Sequence, residues 1–243
     1  MIIVIMVTVS CGTLSSVLGG GAADTDPTTT EIISGLKEAL KVGSEHAVNG
    51  LSQAGGFSSS EQYKILLPPE AQPIMDNITV IPGGQQLVDE VLSRMNASAE
   101  YATEKAGPIF VHAITNMSIS DALAVLKGSD TAATDYLQRT TGEALKEAFK
   151  ADIDRALQTP LIAHISTETA WNRVVSAYNT VAQSVVGSLR GMQPLDGQLS
   201  DYILDKALSA IFSEVAANEQ KIRADPFVYG SALIEKVFSY AKQ

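Results

Sequence analysis

Cysteine is almost missing from this chain: Cys11 is the only one in 243 residues, which excludes an internal disulfide and a zinc site built on cysteines. Positive charge is also scarce. With 17 Lys plus Arg against 27 Asp plus Glu, the net charge is −10, which argues against a nucleic-acid partner because phosphate binding rests mainly on lysine and arginine. There is no His-Glu-x-x-His pair, no Gly-x-Ser-x-Gly elbow, no Walker loop and no dinucleotide fingerprint. What is present is a globular composition, 45% hydrophobic and 18% charged, sufficient for a sizeable core.

The chain begins with an apolar run from Met1 to Val9, broken only by Thr8. A bilayer-spanning helix needs roughly 20 apolar residues, whereas a secretory leader needs about 7 to 15, so the run reads as a signal peptide over residues 1–10. Ser10 then precedes Cys11, and a Gly, Ser, Ala, Thr and Asp stretch suited to a flexible linker covers residues 11–27. This resembles a bacterial lipobox, which implies lipidation of Cys11. Thr8 stands where that motif usually has Leu, and no Lys or Arg precedes the run.

From residue 28 to 243 the apolar residues recur at helical spacing, without sustained two-residue alternation. The fold class expected is all-α: an irregular multi-helix bundle forming one compact domain. A first helix carries Leu36, Leu40, Gly43, Ala47 and Leu51 on one face and ends at Gly55-Gly56. Pro68, Pro69, Pro73 and Pro82 make residues 57–84 a crossover with short turns at most, pinned by Leu66 and Leu67. A helix from Gln85 is interrupted at Gly107-Pro108. Ser118 or Ser120 caps a short helix that Gly128 closes in the left-handed conformation. A further short helix reaches Arg139, and Thr140 with Glu143 has capping-box spacing to start another. One helix is expected from Trp171 to Leu189, one from Ile203 to Ile222 with Glu219 on its stripe, and a last one after Asp225-Pro226.

Candidate chemistry is sparse. His46, His112 and His164 fall on separate helices, and the acid pairs Asp89-Glu90 and Asp152/Asp154 fit wet helix faces. No metal and no cofactor is expected. Asn77, Asn96 and Asn116 each begin a glycosylation pattern. The most distinctive stretch is residues 117–141, where Asp121, Asp130, Thr134, Tyr136 and Arg139 form the candidate ligand or partner site. Thr134 follows Asp130 by one helical turn, and Arg139 shares a face with Tyr136. The competing reading is a polar corner in which Asp130 caps, Tyr136 packs and Arg139 satisfies carbonyls.

The segments GLKEALKVGSEHAVNGL, KAGPIFVHAITNMSISDALAVLKGSDTAATDYLQRTT and KALSAIFSEVAANEQKIRADPFVYGSALIEKVF resemble, in order, the bacterial family called domain of unknown function 4197. The resemblance covers most of the chain after residue 30. It implies an α-helical, exported or envelope-associated protein, often with a lipoprotein leader, and transfers no activity. Leu66 stands where the family tends to have Pro, and Asn218-Glu219-Gln220 replaces a more acidic run, which speaks against a shared acidic metal site.

The expectation is therefore a protein of the cell envelope, facing the periplasm, held to the membrane by an N-terminal lipid, with a non-catalytic helical body that binds an envelope protein or a small ligand. A secreted or soluble periplasmic protein is the alternative location. The alternative functions are an enzyme of unrecognised type using the polar cluster in residues 117–141, and a carrier of apolar small molecules between helices.

Overall fold

A computed structural model describes residues 26–158, 166–195 and 199–242; the expected leader, Cys11, nearly all of the linker, the Thr159-Pro160 step and His164 lie outside them. The regular structure of the described residues is helical, with no strand, as the three-four periodicity predicts. Helix α1 (Thr29–Ser52) opens with a complete capping box, in which Thr28 accepts from the Glu31 amide while the Glu31 carboxylate accepts from the Thr28 amide. Its buried stripe runs through Leu36, Leu40, Ala47 and Leu51.

The crossover holds only short pieces, 3-10 turns at Pro69–Ala71 and Ile78–Val80 around the five-residue α2 (Gln72–Asp76). It is pinned differently from expectation. Leu66 is 60% exposed, Leu67 is half-buried, and the anchors are Phe57, Ile65, Ile74 and Ile81. The backbone fixes that parity through α3 (Gly84–Thr103): Asn96 accepts from the Ile65 amide at 2.9 Å and returns a bond to the Ile65 carbonyl at 2.9 Å, turning Ile65 inward and its neighbour outward. One turn further along α3, Glu100 accepts from the amides of Gly55, Phe57 and Ser58. Asn96 is thus buried and fully engaged, so its glycosylation pattern is inaccessible in the folded chain.

Helix α4 (Ala106–Thr115) follows after a break at Glu104 and Lys105, so Pro108 sits within its first turn, where a missing amide costs little, and does not mark the interruption. Ser118 caps α5 (Ile119–Leu126) by accepting from the Asp121 amide. Gly128 has no positive φ; a Cβ there would lie 2.5 Å from Ala132 Cβ, so the glycine permits the close turn into α6 and not a left-handed cap.

Helix α6 (Ala132–Gln158) is one rod, not two. Thr140 and Thr141 donate back to the carbonyls of Tyr136 and Leu137, the bonding of mid-helix threonines, so the capping-box spacing initiates nothing. Asp152 also departs from the wet-face reading: it is buried and pairs with Arg155 at 2.6 Å.

Helix α7 (Thr167–Ala182) stops earlier than its apolar periodicity suggests, and a separate turn, α8 (Val185–Leu189), leaves it at Ser184. Helix α9 (Ser200–Ala224) ends at Asp225, and α10 (Ala232–Ala241) closes the described chain. The long α9 packs along both α1 and α6; α10 and α4 flank α1, and α7 lies on α3 and α6. Their inward stripes merge into one continuous core, with Phe110 and Phe212 meeting edge to face at 6.0 Å.

Candidate functional site

The stretch from residue 117 to 141 folds into α5, the turn after it and the start of α6, and its candidate residues separate into three environments. Thr134 and Tyr136 are buried, Asp121 is half-buried, and Asp130 and Arg139 are exposed. Arg139 lies over the Tyr136 ring at 5.6 Å, as the three-residue spacing predicts. Burial raises the Tyr136 phenol above its ordinary pKa, the Asp121 charge adds to that rise, and Arg139 opposes it. The charges of Asp121 and Arg139 therefore both act on Tyr136. Thr134 faces elsewhere, into the seam with α9, and Asp130 stands in the turn, before α6 begins.

What holds this corner is a pair of residues far away in sequence. Glu219 of α9 is buried, and its two oxygens accept from the amides of Ala133 and Thr134 at 2.9 and 2.8 Å and from the Thr134 hydroxyl at 2.8 Å. It thereby caps α6, the task expected of Asp130. Arg223, one turn on, donates to Glu219 at 2.8 Å and to the carbonyls of Val125 and Leu126 at the end of α5. One ion pair so satisfies the donors opening α6 and the acceptors closing α5. A signal for it was present: Glu219 occupies the buried register of α9, where a lone carboxylate is costly, and Arg223 follows it by four. The hollow beside Glu219, walled by Leu36, Leu40, Gly43 and Phe238, measures about 20 Å³, the space of one water and too small for an apolar ligand.

An open groove of about 300 Å³ lies between the crossover and α9, and sequence reasoning missed it. Ser60 shapes its near wall, accepting from the amides of Gln62 and Tyr63 through its hydroxyl and from the Lys64 amide through its carbonyl. The Tyr63 hydroxyl donates to Glu214 at 2.9 Å and meets Ser213 at 3.4 Å. Burial and the Glu214 charge raise the Tyr63 pKa, while the Ser213 bond opposes the shift, so the phenol stays protonated and serves as a donor. Lys64 and the exposed Leu66 complete the wall, and Tyr202 with Lys206, 5.5 Å from its ring, forms the opposite one. The groove thus combines two cations, two phenol rings and serine hydroxyls in an acidic molecule. Such a set can hold an anionic group on a flat or aliphatic body.

Beyond that groove, Tyr229 donates to Asn218 at 2.7 Å and stacks on His46 at 4.3 Å. His112 is exposed beside Asn116. Among the described residues no three of His, Cys, Asp and Glu are placed to hold a metal ion, and no single helix is long and apolar enough to cross a membrane.

The family model described as "Protein of unknown function (DUF4197)" matches residues 26–239, nearly the whole chain. No curated protein and no solved structure matches it.

Proposed function

We propose, for a chain that belongs to the family of proteins of unknown function DUF4197, an exported and lipid-anchored protein of the cell envelope whose helical body is a non-catalytic binding module. The observation that carries the binding role is the groove between the crossover and α9. Lys64 and Lys206 both line a groove of about 300 Å³ in a chain of net charge −10. Two lysines, with the nearby Glu214 carboxylate engaged by the Tyr63 hydroxyl, favour an anionic group, and Tyr63, Tyr202 and Leu66 offer it flat and aliphatic contact. That ligand is a small anionic molecule or an acidic side chain of another envelope protein. The polar corner at residues 117–141 fits structural work better, because Thr134, Glu219 and Arg223 spend their bonds on helix ends.

The envelope location rests on the apolar run at residues 1–9, the Ser10-Cys11 step and the small-residue stretch behind it. A lipid on Cys11 adds about 0.8 kcal/mol for each methylene buried, so several acyl chains hold the protein firmly. Intact-mass measurement of protein extracted from its native membrane tests this half: cleavage before Cys11 with added acyl mass is expected, and a full-length unmodified soluble species overturns it. The groove is tested by native mass spectrometry of the same extract beside the Lys64→Glu, Lys206→Glu double variant. Loss of a co-purifying anionic species or of an acidic protein partner in the variant is expected, and identical spectra overturn the groove as the binding site.

A further inference from the structure

We infer that the α8 turn is a membrane-contacting element, in which Val185, Val186 and Leu189 enter an anionic lipid surface and Arg190 meets its phosphates. This contact goes beyond the reading above, because it does not need a lipid on Cys11.

The three aliphatic side chains are 77%, 50% and 84% exposed, although they occupy five consecutive residues of ordered helix. The turn is not a frayed end. Ser184 accepts from the Gly187 amide, and a Cβ on Gly187 would lie 2.2 Å from the Val181 carbonyl oxygen, so α8 is pressed against the end of α7. Behind it Met192 is buried, and Asn179 exchanges two bonds with the Leu195 backbone, at 2.8 and 2.9 Å, fastening the chain that returns from the turn. The clamp thus holds hydrocarbon outward. A ridge of three side chains needs no matching cavity in a deformable lipid surface.

Charge selects the kind of surface. In a chain of net charge −10, residues 169–195 contain no Asp or Glu, and their charged residues are Arg173 and Arg190, both exposed and neither in an ion pair among the described residues. From another element, Asp76 lies close enough for its charge to act on Tyr178, further back on α7. The segment that bears the exposed aliphatic ridge thus has no carboxylate of its own between Glu168 and Asp196 and sets Arg190 beside Leu189, the complement that an anionic bilayer needs.

The test uses the full chain with Cys11→Ser, which removes both the lipid and the only native thiol. Leu189→Cys in that background takes an environment-sensitive dye, with Lys146→Cys on α6 as the control site. Vesicles of phosphatidylcholine with phosphatidylglycerol should shift the dye at 189 to shorter wavelength and leave the dye at 146 unchanged; pure phosphatidylcholine or high salt should weaken the shift. Val185→Asp with Leu189→Asp, in the same unlabelled background, should lower vesicle affinity at least tenfold with an unchanged circular dichroism spectrum. No shift at 189 on anionic vesicles overturns the inference, as does equal binding by the double variant. A dye shift that depends on protein concentration and not on vesicles assigns the ridge to a second copy of the chain and overturns it too.

Discussion

The junction of α5, α6 and α9 hides charge, whereas the α8 turn displays hydrocarbon, and the two regions depart from ordinary placement for opposite reasons. At the junction, Glu219 and Arg223 leave water but meet helix ends whose amides and carbonyls need partners. The charge is consumed within the molecule. At α8, a glycine contact and a serine cap fix a turn whose apolar side chains stay largely exposed. A buried polar group with every partner in place reports on folding; an ordered apolar group left in water reports on something outside.

The sharpest way to break that contrast is to remove Glu219. Glu219→Ala strips two amides of their acceptor and leaves Arg223 partly buried without its counter-charge, which should cost about 3–5 kcal/mol in urea unfolding. Glu219→Gln, which keeps the shape and one acceptor oxygen, should recover part of the loss. A cost below about 1 kcal/mol for the alanine variant would give the junction the small weight of a surface ion pair. Asn96→Ala comes next, at about 1–3 kcal/mol, because the buried Ile65 amide and carbonyl lose their partner. Hydrogen exchange at the Ile65 amide should rise in that variant more than at α9. Gly187→Ala forces α8 off the end of α7 and should cost about 1–3 kcal/mol, as overpacking does. Its unfolding midpoint checks whether the turn is clamped; a neutral result would make α8 a loose end.

Much of this was legible in the sequence, and the failures have identifiable causes. Repeating apolar stripes such as Leu36, Leu40 and Ala47, or Val88, Val91 and Met95, define helices by themselves because one helix face must find the core. Terminal signals were less reliable. Thr140 has a cap's spacing but sits mid-helix, where its hydroxyl is satisfied by the preceding turn. The periodicity through Val185 and Leu189 promised burial, but Ser184 and Gly187 form a cap and a close approach that redirect the chain before those residues arrive. Leu66 and Ile65 are equivalent by composition; Asn96, 31 positions away, accepts from the Ile65 amide and donates to its carbonyl, and so decides which one faces in. The candidate residues of 117–141 were read from local spacing, which shows Arg139 over Tyr136 but cannot show that a carboxylate from α9 caps their helix. The groove was not visible either, since its two walls are about one hundred and fifty residues apart in sequence.

The exposed side supplies the two smallest effects. Val185→Asp with Leu189→Asp removes little packing, so urea unfolding of the unlipidated protein should change by no more than about 0.5 kcal/mol per site. A large loss would mean that the ridge supports the core.

The last case is Glu31, an acid whose partners lie at the surface. The Lys236 ammonium, bonded at 2.8 Å, and the Thr28 amide lower its pKa from 4.5 to about 2. Because the folded value lies below the unfolded one, this contribution is complete above about pH 4.5, declines as acid protonates the folded carboxylate, and has vanished below about pH 2. Glu31→Gln should therefore flatten the acid limb of a melting-temperature profile between those limits while leaving the neutral region nearly level. Lys236→Met should flatten it less, since the Thr28 bonds survive. Both effects should shrink in high salt, because water and ions reach the pair, whereas the Glu219 effect should persist. If salt were to weaken both alike, the distinction between the enclosed charge and the surface charge would fail.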